Sequence, residues 1–243
     1  MPSTVALHRT DPYLTHCEAV VTQLLDDGVE LDRTVFYPLG GGQAGGSGAL
    51  RLADGTRLAV LDTRKSKRDG AGPDDSLHVL DPARGWHEQL TVGTRLHAEI
   101  DWTQRHRHMR LHTATHLLCA VVPQPVDGCS IAADYARLDF VMTEPLVREE
   151  VQAGLDALIA AAQPVAYEWI SDAQMAANPQ LVKSMSVAPP TGYGLVRLVR
   201  VQDVDLQPCG GTHVRNTAEI GALRIVKIEK KSARTRRVVL EFA

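Results

Sequence analysis

The sequence predicts an α+β protein: a small N-terminal β-barrel domain over residues 1–98, then an α+β domain over 99–243. Three observations predict it. Short apolar runs punctuated by glycine recur up to about Glu99. At Asp101 the texture changes to a long helical pattern, stopped by Pro123 and Pro125. Beyond it, a second helical pattern is set among strand-like runs.

In the first region, strands are expected at 16–24, 30–37, 49–52, 58–62, 77–80 and 95–100. Several short strands at this spacing read as a small barrel. Ala53-Asp54-Gly55 reads as a hairpin turn, because Asp-Gly readily supplies positive φ. The charged, glycine-rich stretch 65–75 reads as an exposed loop. In the second region, Asp101 is placed to cap a helix over 102–122. A strand is expected over 130–142. A second helix is expected over 146–162, with Leu146, Val151, Leu155, Leu158 and Ala162 on its apolar face and Pro145 in its first turn. Further strands are expected at 164–170, 195–201, 221–229 and 236–242.

Composition excludes several classes. With 243 residues, 44% hydrophobic and 23% charged, the chain is neither disordered nor fibrous. A net charge of −3 gives no overall sign of a polyanionic partner, and 5% aromatics argues against a broad base-stacking platform. The first twelve residues lack the apolar segment of a secretory signal, and the longest apolar run, 117–122, is far too short to span a bilayer. Cys17, Cys119, Cys129 and Cys209 are too few and scattered for a disulfide scaffold. The expectation is a cytoplasmic protein with no membrane partner, in a compartment that keeps Cys209 reduced.

The ten histidines are unevenly placed, and that carries the chemistry. His112 and His116 are four residues apart on the first expected helix, so their imidazoles share one face. His108 makes a second such pair with His112, so spacing alone does not say which two coordinate. Cys209-Gly210-Gly211-Thr212-His213 supplies a thiolate and an imidazole across two glycines, which relieve Cβ crowding between them. Two histidines, a cysteine and a further histidine make a donor set soft enough to select zinc over calcium or magnesium.

What is missing narrows the chemistry further. Thr113 stands where a zinc protease of the His-Glu-x-x-His type needs its glutamate. Thr212 occupies the place of the second cysteine in a deaminase Pro-Cys-x-x-Cys. The loop Gly40-Gly41-Gly42-Gln43-Ala44-Gly45-Gly46 is not followed by Gly-Lys-Ser/Thr, so it is no P-loop.

These residues converge on a family. The run 107–118 (Arg-His-Met-Arg-Leu-His-Thr-Ala-Thr-His-Leu-Leu), Ala136-Arg137-Leu138-Asp139-Phe140, and Cys209-Gly-Gly-Thr-His-Val214 with Ile220-Gly221 together resemble the alanyl-tRNA editing proteins. These are free-standing relatives of the editing domains of alanyl- and threonyl-tRNA synthetases. The segment 36–46 also resembles the Gly-Gly-Gly-Gln loop of the medium-length members, which carry a β-barrel before the editing domain. The resemblance implies that His112, His116, Cys209 and His213 bind Zn2+ and that His108 lies outside the set. It implies hydrolysis of the ester joining a wrong amino acid, chiefly serine, to tRNA(Ala). A deacylase for a different aminoacyl-tRNA, or a zinc-containing tRNA-binding module without turnover, are the alternatives.

Around that centre, Thr113 and Thr212 are expected to position substrate, and Val126 and Asp127, in the loop 124–128, to discriminate between amino acids. Gly46 and the turn Lys231-Ser232-Ala233-Arg234 depart from the family pattern. Charge distribution matters more than net charge here. Arg224, Lys227, Lys230, Lys231, Arg234, Arg236 and Arg237 face only one acid, Glu229, in their stretch. Beside an editing motif, that band is expected to contact tRNA phosphates.

Overall fold

The computed structural model describes residues 4–185 and 194–243. The chain forms two compact units: the residues up to Gly40 with Ala44–Arg105, and Gly41–Gln43 with His106–Ala243. The second unit is therefore discontinuous in sequence.

In the first unit β1 (Val5–Ala6) pairs in parallel with β4 (Arg33–Thr34). The other strands are β2 (His16–Leu25), β3 (Gly28–Leu31), β5 (Gly48–Arg51), β6 (Arg57–Lys65), β7 (Ser76–Leu80) and β8 (Arg95–Ile100). They close a barrel in the order β2-β3-β7-β6-β5-β8. Alternation puts Leu96, Ala98 and Ile100 of β8 inward, against Val21, Leu31, Leu50, Leu58 and Leu80. The Asp54-Gly55 turn joins β5 to β6: Gly55 takes φ +89° and the Asp54 carboxylate accepts the Thr56 N–H at 2.8 Å.

Two expectations in this unit are corrected. The run 30–37 is not one strand. Asp32 interrupts it by accepting the Val20 N–H at 2.7 Å on its side chain, leaving β3 in the barrel and β4 with β1. The stretch 66–75 is irregular but not wholly exposed. Asp75 is buried, and Arg68 bridges it to the buried Glu30 at 3.1 and 3.3 Å.

The helix α1 (Trp102–Val121) is capped by Asp101, whose carboxylate accepts the Gln104 N–H at 3.0 Å. Every residue from position 111 to 119 is buried, so this stretch is surrounded by protein and not laid along a surface. A sheet of β14 (Leu223–Ser232), β15 (Thr235–Phe242), β10 (Tyr135–Val141) and β9 (Val126–Ile131) follows, antiparallel in that order. A second sheet holds β11 (Val165–Ser171), β12 (Leu195–Val201) and β13 (Asp205–Pro208). The helices α2 (Arg148–Ala160) and α3 (Asp172–Ala177) complete the unit, the latter opened by a Ser171–Gln174 capping box.

Here too the sequence is corrected. The expected strand 130–142 is the hairpin β9–β10, reversed at Ala132, whose N–H donates to the Tyr135 carbonyl at 2.9 Å. Pro145 precedes α2 instead of opening it, and of the expected apolar face only Val151 and Leu155 are buried. The short elements β13 and α3 had no counterpart in the sequence reading.

Candidate metal centre

The helix α1 places His112 and His116 one turn apart, and the loop after β13 brings Cys209 and His213 to them. One donor atom from each lies within 4.8 Å of all the others. Cys209 Sγ is 3.4 Å from His112 Nε2 and 3.3 Å from His213 Nε2. His108 is buried but stands outside the group.

Each imidazole is held from behind through its other nitrogen. His112 Nδ1 donates to Gln43 Oε1 at 2.7 Å, and His116 Nδ1 donates to Asp205 Oδ2 at 2.9 Å. The Thr113 hydroxyl donates to the Met109 carbonyl at 2.9 Å, so it accepts from His213 Nδ1 at 3.1 Å. The other nitrogen of each ring, Nε2, is thereby left on the side of the thiolate. Asp205 is itself fixed by Lys183 and by Gln207 Nε2 at 2.8 Å.

Glycine is required at one position of the loop. A Cβ on Gly211 would lie 2.1 Å from His112 Cε1, whereas one on Gly210 would meet nothing within 4 Å. Only one of the two expected glycines therefore relieves crowding. In the Gly40–Gln43 loop, Gly41 and Gly42 take φ +58° and +85°, and a Cβ on Gly42 would press on Cys129 at 2.9 Å. These turns bring Gln43 to the site, where its amide accepts the Thr212 N–H at 3.0 Å and donates to Thr212 Oγ1 at 2.9 Å.

Electrostatics suit cation binding. Burial opposes ionisation of Cys209, but His112 and His213 hold its thiol well below the usual value. Burial lowers the pKa of His116, yet Asp205 and the thiolate outweigh it and raise the value to about 9. Burial, then His112, depresses that of His213. The other thiols behave oppositely: burial pushes Cys119 and Cys129 up to about 12 and Cys17 to about 11. Three imidazole nitrogens and one thiolate converging on one point fit a borderline-soft divalent ion.

Other expected site residues lie differently. Thr113 and Thr212 are fully buried, their oxygens engaged with the ligand-bearing elements. Val126 is no loop residue. It begins β9, buried, with its N–H and carbonyl bonded to Lys183 and Met185, while Asp127 is exposed. The basic band is largely committed within the chain. Lys231 and Arg237 join Arg137 on the buried carboxylate of Asp139 at 2.8, 2.7 and 3.0 Å, and against burial Arg237 and Lys231 hold its pKa down to about 2. Arg224 meets Glu241 and Lys227 meets Glu229, while Arg236 is buried on the carbonyls of Ser232, Thr235 and Thr143. Lys230 and Arg234 are exposed. Asp205, Lys183, Tyr167 and Arg197 escaped the sequence reading. Only the acidic residue four places before Cys209 could have drawn attention.

Comparison with known proteins gives the class first. Residues 196–239, which carry Cys209 and His213, match the domain family described as the threonyl and alanyl tRNA synthetase second additional domain. The chain is also 35% identical to the alanine–tRNA ligase of Metallosphaera sedula over 95% of its own length, spanning 25% of that ligase. It is 34% identical to the alanyl-tRNA editing protein AlaX-M of Methanosarcina barkeri over 97% of both chains, and 32% identical to that of Methanosarcina acetivorans over 97% of both. The chain belongs to the AlaX-M family of alanyl-tRNA editing proteins.

Proposed function

We propose that this protein is a zinc-dependent hydrolase that deacylates mischarged tRNA(Ala) in trans, chiefly Ser-tRNA(Ala). The observation that carries this reading is the convergence of three oriented imidazoles and a thiolate in a chain of the editing family. A synthetase pocket that accepts alanine rejects one added hydroxyl weakly, so a second hydrolytic site is needed.

His112, His116, Cys209 and His213 would hold the ion. Zinc, when bound, supplies a Lewis acid that polarises the ester or lowers the pKa of the attacking water. The residues around it work by orientation. Gln43, Asp205 and Thr113 fix the three rings, and Thr212 locks the amide of Gln43. Cys209 alone among the ligands is partly exposed, so the aminoacyl ester enters on its side. Asp127, exposed on β9, remains the candidate for amino-acid discrimination, and Lys230 and Arg234 for tRNA phosphate contact.

A second reading rests on the same donor set, since four protein ligands can close a tetrahedron around a structural zinc. Metal analysis together with deacylation of Ser-, Gly-, Ala- and Thr-tRNA separates the two. The editing reading expects one zinc per chain and release of serine with alanine spared. Zinc retained while every ester stays intact supports the structural module.

A further inference from the structure

Arg197, on β12, is 3% exposed. Its Nη1 donates to the Gly211 carbonyl at 2.9 Å, inside the metal-binding loop, and its guanidinium lies 3.9 Å from the centre of the Tyr167 ring. Its backbone carbonyl accepts the Cys209 N–H at 3.1 Å. Both Nε and Nη2 are buried and have no hydrogen-bond partner among the described residues. A guanidinium cannot shed its charge in a protein, and a buried, unpaired one is strongly destabilising. Another buried arginine shows the ordinary solution: Arg105 donates to the carbonyls of Pro12 and Val35 at 3.0 and 2.7 Å.

The two unpartnered nitrogens are not an arbitrary pair. Nη1 is the nitrogen cis to Cδ, so the N–H bonds of Nε and Nη2 run parallel and form the edge that grips two oxygens at once. Arg197 touches the ligand loop through Nη1, and among the described residues no carboxylate pairs with Nε or Nη2. The one buried acid at the centre, Asp205, is committed to His116 and Lys183. A bound divalent cation would leave the site with more positive charge than its single thiolate balances.

We propose that the Nε–Nη2 edge of Arg197 receives an anionic oxygen group of the substrate at the metal centre. The proposal rests on the deacylase reading. Two sources supply that chemistry. One is the phosphodiester of the terminal nucleotide. The other is the ester carbonyl oxygen: water adds to the ester carbon, the carbonyl π pair moves onto that oxygen, and collapse expels the ribose oxygen. One proton of the water goes to the ribose oxygen and the other to solvent. The edge lies below the surface, so the group reaches it by displacing neighbouring side chains, into surroundings where each charge-assisted hydrogen bond is strong.

The experiment compares wild type with Arg197→Lys, which keeps the charge but loses the fork, and Arg197→Met. Zinc content, kcat and KM are measured on Ser-tRNA(Ala) and on seryl-adenosine, which has no phosphate. Calorimetry compares adenosine 5′-monophosphate with adenosine. If the phosphodiester is the partner, both variants raise KM for the tRNA about tenfold or more, leave seryl-adenosine unchanged and lose the preference for the monophosphate. If the reacting oxygen is the partner, kcat falls about 10²-fold on both substrates with zinc retained. Unchanged kinetics in both variants overturns the proposal. Loss of zinc in both also overturns it, leaving Arg197 as support for the loop. A wild type that cleaves neither ester defeats the deacylase reading instead. The calorimetric arm then decides alone, and equal binding of nucleotide and nucleoside sinks the arginine's role.

Discussion

The two units bury histidine for opposite ends. In the barrel, His78 is completely enclosed, with Nδ1 donating to the Val29 carbonyl at 3.2 Å and Nε2 accepting from the Thr34 hydroxyl at 2.7 Å. Both nitrogens are spent, and burial pushes its pKa down to about 4, so it serves as a neutral packing group. In the second unit each of three buried histidines has one nitrogen held in the same way, but the other faces a thiolate. Burial therefore does not separate a core histidine from a ligand. What the second nitrogen meets does.

The largest expected effect removes the difference altogether. Cys209→Ala or His116→Ala should release the metal, measured by mass spectrometry of the purified protein, and bring deacylation to background; full hydrolysis by either variant would refute the site. Next comes steric intrusion. Gly211→Ala forces a methyl against His112 and should weaken metal binding sharply and cost about 1–3 kcal/mol of stability, whereas Gly210→Ala should match wild type in both. Equal behaviour of the two would mean the loop is not tightly docked.

The barrel can be probed by acid. His78 is neutral when folded, with a pKa near 4, and gains a proton near 6.5 when unfolded, so its contribution is whole above pH 6.5 and is lost as pH falls through 4. Denaturant titration of wild type should lose roughly 3 kcal/mol across that window from this group. His78→Gln should flatten the profile there; an equally steep variant would show that other groups carry it. A smaller effect tests the outer support. Asp205→Asn keeps the shape but removes the charge, and should cost about 10–100-fold in metal affinity by chelator competition. The smallest lies on the surface, where Lys230→Ala and Arg234→Ala should each lower the salt slope of tRNA binding by about 1, leaving zinc untouched.

Most barrel strands were legible as short apolar runs between glycines, and the candidate donors as local pairs, i, i+4 on a helix and Cys-x-x-x-His across glycines, with the family resemblance choosing His116 over His108. Thr113 and Gln43 were visible as residues, but that Thr113, Gln43 and Asp205 orient the ligands was not. Gln43 lies 69 residues from His112, and Asp205 lies 89 from His116, so no spacing announces them. The β9–β10 hairpin was missed because Ala132-Ala133-Asp134 lacks a glycine signal, and β13 because four residues show no period. The basic band shows the reverse failure. Composition displayed its cations, but their acids, Asp139 and Glu241, come from outside the run or its far end.

The membership of Gly41–Gln43 in the second unit bears on modularity. A gene truncated to encode only the residues after Arg105 would retain all four ligands yet lose the amide that fixes both the tautomer of His112 and the Thr212 backbone. Three residues of the second unit, Gly41–Gln43, are thus encoded within the stretch that encodes the barrel. A shortened chain of that kind would need another hydrogen-bond acceptor in place of that amide to hold His112 Nδ1.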